Sequence, residues 1–542
     1  MNSLQGDSSK PIRVVVTGRM PSFQAARKEL SATGTASCEV TGFCPSPYLT
    51  ALITDPLGKV DQRREWWEKY APLAGLPLDV PAAITDQRLQ SLTHEPLLCY
   101  LLALSGYAVE NWEAAAENRN RIYGRLIDEV WRRGWGEGDA HVRREGAGKS
   151  LGKGNFNRLM ETIALAAWRG GDTRVASEAG FHEAVALLRT QDAWEDFKRD
   201  SGQDIANLAM NFYLKSAESE YRGFEFTHKS FGDYLAARAL LCVARDVALL
   251  GERGIDHAMR EWLKVTSRGE LTNELMSYLR DEIRLLIGEQ DGLKITTEMK
   301  RAFEKLASSA IRDGFPSHQS SAQSWRVAEN WQRNAETMVW AILNACTVGL
   351  NLNERGEHLI NVVWVGPQDF AWLIMRLSKM PGNALQYGFV HKYLDELKAM
   401  LATRDLVSEP VFDCFSYVNS PNMDFSNLNL TGINFRYANL SGSKFRCACL
   451  SLANFSRADL TKATFEDARV DLADFAGAKL AGAELSDARV AGASFTGADL
   501  TDVKLSKRML SLQSKEEMDP KLASLFGKAK IEPVETVERD SE

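Results

Sequence analysis

The chain has 542 residues, and 44% of them are hydrophobic, which is enough for several domain cores. A formal net charge of −7 is mild for this length, so composition gives no indication of a nucleic-acid groove. The first ten residues are polar, no apolar run reaches the roughly 18 residues of a membrane span, and the eight cysteines show no metal-ligand spacing. These features predict a reduced cytoplasmic protein with no membrane contact and no metal site.

The N-terminal segment predicts a fragment of an α/β domain. Residues 12–17 have the composition of a buried parallel strand, which leads into a turn at Arg19 and a helical pattern over residues 22–30. A second short strand is predicted at residues 38–43. The fragment is too short for a complete α/β domain.

From residue 58 the pattern is almost wholly helical. Apolar residues recur at helical spacing over residues 60–70, 87–108, 122–131 and 156–168. A short strand is predicted at residues 224–227, followed by a helix capped by Thr227 or Ser230. This succession of helix, helix, strand and helix is the outline of a winged helix. Residues 243–413 then predict helices rich in Trp, whose rings are expected in the core rather than in a ligand cage.

Residues 423–505 carry a sizeable apolar residue at every fifth position, with a second buried-type residue, mostly Ala, two positions earlier. Five helical steps rotate roughly 140°, and an odd step along a strand changes face, so neither regular element explains this period. The chain must turn a corner about every five residues, and four corners close a coil of about 20 residues. Residues twenty apart should stack in ladders; the predicted repeat core is Phe435, Leu440, Phe455, Leu460, Phe475, Leu480, Phe495 and Leu500.

The pattern A-[DN]-L-x-x, present at residues 438–442, 458–462 and 498–502, resembles the pentapeptide-repeat family. The resemblance implies a right-handed quadrilateral β-helix. Some members of that family mimic duplex DNA through acidic faces. Residues 424–504 hold ten acidic and nine basic residues, which disfavours mimicry and a nucleic-acid role.

A second resemblance concerns the first half of the chain. The blocks VVVTGRM at residues 14–20, HEPLLCYLLA at 94–103 and FEFTHKSFGDYLAAR at 224–238 look like the rear half of a NACHT-type NTPase of the STAND signalling class. The resemblance implies three nucleotide-binding positions: Arg19 as the phosphate sensor, Pro96 beside the adenine, and His228 on the ADP phosphate that locks the closed state.

The phosphate-binding loop of that family is not found. Gly148, Lys149 and Ser150 end like the motif G-x-x-x-x-G-K-[ST], but Arg143 occupies the place of its first Gly and no apolar strand precedes it. No apolar run ending in paired acidic residues offers a magnesium ligand either. The chain alone is therefore expected not to hydrolyse ATP, and ADP or ATP is expected only if another half supplies the loop.

The sequence thus predicts a multidomain α + β protein: a residual α/β fragment, helical and winged-helix domains, and a C-terminal right-handed quadrilateral β-helix. The predicted units are an NTPase remnant (1–50), a helical domain (51–117), a winged-helix-like domain (118–241), a Trp-rich helical domain (242–418), the repeat β-helix (419–505) and a charged, partly disordered tail with one short helix near residues 520–530 (506–542).

The predicted function is a non-catalytic sensor or scaffold of a bacterial NACHT-like STAND protein. It would bind a protein partner through its helices and repeats, open, and then oligomerise. Two alternatives remain open at this point: a fragment of a full-length signalling ATPase, and a stand-alone repeat protein that binds a partner.

Overall fold

The computed structural model describes most of the helical region and the whole repeat array. The described residues are 43, 60–86, 89–104, 117–134, 152–171, 175–201, 214–216, 223–226, 229–251, 254–316, 325–352, 356–377, 410–506, 508–509 and 518–525. The predicted strands at 12–17 and 38–43 and the motif at 148–150 lie outside them, apart from Phe43. Within the described residues, no helix is both long enough and apolar enough to cross a membrane.

Short helices begin the described chain: α1 (Arg63–Ala74), α2 (Ala82–Thr85), α3 (Gln90–Thr93) and α4 (Pro96–Leu104). The buried Arg63 holds them together, because its guanidinium donates to the Ile84 carbonyl and the Thr93 hydroxyl, each at 2.9 Å. The segment 87–108, predicted from its helical spacing, contains α3 and α4 with a break before Pro96. Proline has no N–H to donate and suits the first turn of a helix, so the second helix begins there.

A small sheet lies among the next helices. The elements are α5 (Asn120–Gly134), α6 (Lys153–Arg169), β1 (Ala176–Ser177), α7 (Glu178–Leu188), α8 (Gln191–Ser201), β2 (Leu214–Ser216) and β3 (Gly223–Phe226). The strands pair antiparallel in the order β1-β3-β2. The strand predicted at 224–227 is therefore the centre of this sheet.

Longer helices form the middle of the molecule: α9 (Lys229–Gly251), α10 (Ile255–Thr266), α11 (Asn273–Ile287), α12 (Gly292–Asp313) and α13 (Trp325–Leu350). The domain boundary predicted after residue 241 falls inside α9, whose buried residues run from Phe231 to Val247. Trp262 is fully buried and donates from Nε1 to the Ala335 carbonyl at 2.9 Å. This Trp is part of the helical core, as the sequence predicts.

The C-terminal array is a coil in which isolated parallel bridges join residues twenty apart, from Asn419 with Asn439 to Glu484 with Lys504. Side chains of equal position stack along it. The rings of Phe455 and Phe475 lie 5.0 Å apart and nearly parallel, as do those of Phe475 and Phe495 at 4.9 Å. The 20-residue period inferred from the sequence therefore agrees with the register of the coils.

The corners of the array have a fixed backbone form. The central residue of each pentapeptide is the apolar residue found at every fifth position. The second residue after it has a positive φ, between 54° and 77°, whether it is Gly442 or a bulky residue such as Leu452 or Arg457. The Asn or Asp before the central residue accepts from the turn: Asp459 Oδ1 takes the Thr461 backbone N–H at 3.1 Å and its hydroxyl at 2.7 Å. These bonds give the A-[DN]-L pattern its physical reason.

A helical cap covers the first coil of the array. It consists of α14 (Asp369–Leu377) and a 3₁₀-helix (Pro410–Phe415). The ring of Phe370 lies 5.3 Å from that of Phe425 and 4.7 Å from Trp364. Trp340 of α13 stacks on Trp364 with the ring centres 6.2 Å apart. The core of the array therefore continues into the core of the helical region.

Polar contacts reinforce this junction. Arg280 of α11 donates to Asn344 of α13 and to the Asp413 carboxylate, at 2.7 and 3.2 Å. Asp413 in turn accepts from the side-chain amide of Asn434, inside the array, at 3.0 Å. The Asp424 backbone N–H also donates to the Pro367 carbonyl at 2.8 Å. The first coils are therefore tied to the helices by hydrogen bonds as well as by packing.

The other end of the array is closed by α15 (Pro520–Leu525), close to the short helix that the sequence predicts near residues 520–530. Leu522 is fully buried, and the Asp519 carboxylate accepts the Phe495 backbone N–H at 3.0 Å. Solenoids need such caps because their end coils would otherwise expose core side chains and unpaired backbone groups.

The corner geometry predicts the effect of a glycine substitution. Gly442→Ala is expected to destabilise the array by about 1–2 kcal/mol, because φ is +69° and the added Cβ meets Oδ1 of Asn422. Gly154→Ala, in the first turn of α6, is the control, since no neighbour lies within 4 Å. Urea unfolding followed by circular dichroism compares the two. Equal free energies of unfolding for both variants would contradict the role of the left-handed corner.

Candidate functional site

Of the nucleotide-binding positions implied by the NACHT resemblance, the structure describes only Pro96. It is exposed and is the first residue of α4. Arg19 and His228 lie outside the described residues. Whether the three positions come together is therefore not tested by the described residues, and their role stays a prediction.

The predicted core of the repeats lies inside the array. Seven of its eight side chains are fully buried, and Leu500, next to the C-terminal cap, is 8% exposed. Because these side chains fill the interior, any binding by the array must use the residues on either side of them. Those residues point outward on four faces.

One face, here called the Leu face, overlies the ladder of Leu440, Leu460, Leu480 and Leu500. Its outward side chains are the residues just before and just after each of these leucines: Asn439, Ser441, Asp459, Thr461, Lys479, Ala481, Asp499 and Thr501. Most are short, and several are fixed by the turn bonds described above. Lys479 Nζ lies 3.7 Å from an Asp459 oxygen on the preceding coil, so opposite charges alternate along the face.

The face that follows the Leu face in each coil carries longer charged side chains. Arg446 and Glu466 are 3.4 Å apart on successive coils, and Lys504 and Glu484 are 3.9 Å apart. Such exposed pairs contribute little to stability. Their alternation gives neither face the continuous acidic stripe that duplex mimicry would need, in line with the charge count of the sequence.

On the third face, one column of side chains is closed to solvent. Ser451, Asp471 and Ala491, which follow the central residues there, are 6%, 1% and 2% exposed. The Asp471 carboxylate lies 4.0 Å from Nε of Arg489. This column is therefore a poor docking surface, whereas the Leu face is open at Lys479 and Asp499.

Reactive groups are sparse on the array. Cys447 and Cys449 are half-buried on the outer side of the coil, and burial raises the pKa of the Cys449 thiol. A raised pKa keeps the thiol protonated and less nucleophilic. Over the residues that the structure describes, no group of His, Cys, Asp and Glu is arranged to hold a metal ion.

Comparison with known proteins agrees with this geometry. The family model described as pentapeptide repeats matches residues 424–461, 438–475 and 471–506, with eight copies. The C-terminal region of this chain is therefore a pentapeptide-repeat array. A search of curated protein sequences finds no match.

Solved pentapeptide-repeat proteins resemble the array. One from the Arabidopsis thaliana thylakoid lumen is 33% identical over 16% of this chain and 62% of its own, with a TM-score of 0.12. HetL, involved in heterocyst differentiation regulation in Nostoc sp. strain PCC 7120, is 33% identical over 17% of this chain and 44% of its own, with a TM-score of 0.10. QnrB1, a plasmid-mediated fluoroquinolone resistance protein, is 29% identical over 17% of this chain and 46% of its own, with a TM-score of 0.13. The chain thus spans less than two thirds of each.

Proposed function

We propose that this protein is a non-catalytic scaffold that binds a protein partner through the Leu face of its repeat array. The observation that carries the proposal is the Leu face itself, an open surface of mostly short polar side chains on a backbone bonded from coil to coil. Docking on such a preformed surface costs the array little conformational entropy. The alternating charges of Asp459, Lys479 and Asp499 would set the register of the partner.

We further propose that the helical region is the sensor portion of a NACHT-like STAND signalling protein. The resemblance of residues 224–238 supports this, together with an antiparallel sheet, β1-β3-β2, that adjoins α6 and α9. In this proposal ADP or ATP binds only when a P-loop is supplied, with Arg19, Pro96 and His228 in the roles that the family implies.

The junction at Phe370 supplies a physical link between the two regions. Its ring contacts the first Phe of the array on one side and Trp364 on the other, and Trp364 stacks on Trp340 of α13. Packed cores transmit strain because they have little free volume. Strain caused by partner binding on the array would therefore reach the packed core of the helical region.

The test uses two alanines at the same position of successive pentapeptides. Ala481→Arg places a long cation on the Leu face, and Ala476→Arg places it on the preceding face; both alanines are half-buried. Tagged wild-type and variant chains are expressed in the native host and their bound proteins are compared. We expect a protein that wild type and Ala476→Arg retain and Ala481→Arg loses. Identical bound proteins for all three chains would contradict the Leu face as the docking surface, and ATP hydrolysis by the purified chain would contradict the non-catalytic part.

A further inference from the structure

A cleft of about 770 Å³ opens between α5, α6, α9 and α11, far along the chain from the repeats. Asn120, Glu161, Tyr234, Arg238 and Glu282 form its inner wall, defined here as the floor. Additional arginines, among them the exposed Arg121 and Arg245, line its outer part, defined here as the rim. The floor and the rim differ in charge, and this difference indicates what the cleft could bind.

The floor has more negative than positive groups. Arg238 is its single cation and pairs with Glu161, with an Nη2 to Oε1 distance of 2.9 Å. Glu282 is the second carboxylate and accepts from the Asn120 amide at 2.8 Å. Burial raises the pKa of both Glu161 and Glu282, with Arg238 opposing the shift. Two desolvated carboxylates with one guanidinium between the two charges would be stabilised by a further cation.

An acceptor in the floor is also left without a donor. Asn120 is 1% exposed, and its Nδ2 donates to the Tyr278 carbonyl and to Glu282, which fixes the orientation of the amide. Its Oδ1 has no hydrogen-bond partner. This oxygen is closed to solvent, so a ligand in the floor meets the Glu161 and Glu282 carboxylates rather than Asn120 Oδ1.

The rim, unlike the floor, has more positive than negative groups. Arg121, Arg125, Arg132 and Arg245 outnumber the acidic residues Asp128 and Glu289 there. Asp128 already pairs with Lys153 at 2.7 Å, and Arg132 pairs with Glu129 at 2.7 Å, which leaves Arg121 and Arg245 against Glu289. Arginine guanidinium groups suit a carboxylate, which they can hold through two parallel hydrogen bonds.

We propose that this cleft binds a small zwitterionic ligand, with a guanidinium or primary ammonium head in the floor against Glu282 and Glu161, and a carboxylate at the arginines of the rim. Both heads offer several N–H donors, and the floor offers several acceptors. Basic amino acids have this arrangement of charges. The proposal does not depend on the array, so its failure would leave the scaffold function untouched.

Isothermal titration of the full chain at low ionic strength tests the proposal with three probes: L-arginine, agmatine, which lacks the carboxylate, and succinate, which lacks the cation. We expect L-arginine to bind, agmatine to bind more weakly, and succinate not to bind. Glu282→Gln should weaken L-arginine binding about tenfold or more, since a charge-assisted bond is lost. Glu289→Gln, at the exposed rim, is the control and should change it less than about twofold.

Arg121→Ala gives an independent measurement on an exposed residue whose replacement leaves the buried floor intact. It should weaken L-arginine binding and leave agmatine binding unchanged. Three results would overturn the proposal: no binding of L-arginine or agmatine up to about 10 mM, equal affinity of wild type and Glu282→Gln, or binding of succinate alone. The second result would leave Glu282 and Arg238 as a structural charge cluster.

Discussion

Leu460→Lys is expected to unfold the repeat array cooperatively. Leu460 is fully buried in the middle of the coil, with Leu440 and Leu480 one turn before and one turn after it. The substitution removes a buried apolar side chain and forces a charge into the interior between Leu440 and Leu480, for a loss of about 4 kcal/mol or more. Because each coil is stabilised by its neighbours, the loss spreads through the array.

Thermal and urea unfolding, followed by circular dichroism, measure this effect. Ala481→Lys is the matched control, since it introduces the same side chain at a half-buried position on the next coil of the same face. The control should change the free energy of unfolding by about 0.5 kcal/mol or less. A melting temperature of Leu460→Lys equal to that of the control would show that the Leu ladder does not hold the coils together.

Phe370→Ala is expected to open the first coil of the array and to destabilise the protein by about 3–5 kcal/mol. The side chain is fully buried and joins rings of the helical region to rings of the array. Its loss leaves a cavity where rings of the helical region meet rings of the array. Tryptophan fluorescence during urea unfolding reports the change, because Trp364 and Trp340 lie beside the cavity.

Trp372→Ala is the control for this variant. Trp372 is on the same helix two residues further on, but it is 56% exposed. Its replacement should cost about 1 kcal/mol or less. Similar losses for the two variants would mean that α14 stabilises the protein without closing the array.

The array was the part of the fold that the sequence could predict best. A period of five residues excludes helix and straight strand, so the corners and the ladders of Phe455 and Phe475 follow from spacing alone. The left-handed backbone conformation of the corners was harder to predict from the sequence. Gly442 and Asn422 are residues that favour positive φ, but Arg457 and Lys462 occupy the same position and hide the pattern.

Features that depend on distant parts of the chain could not be predicted. Phe370 is separated from Phe425 by more than fifty residues, and nothing in its local sequence shows that it caps a coil. The cleft needs Asn120 and Glu282, which are 162 residues apart, to meet across two helices. A local pattern indicates which face of a helix is apolar. Which element packs against that face depends on the packing of the whole molecule.

The helical region and the repeat array form one continuous body, joined by ring contacts and hydrogen bonds. Native-state amide hydrogen exchange tests it at Asn419 and Asp424, whose backbone N–H groups donate to the carbonyls of Ile360 and Pro367 at 3.0 and 2.8 Å. In a single body these amides are expected to be protected as strongly as the Phe455 amide, which is bonded inside the array. Fast exchange at Asn419 and Asp424, with Phe455 still protected, would mean that the array is hinged on the helices and would contradict a single continuous body.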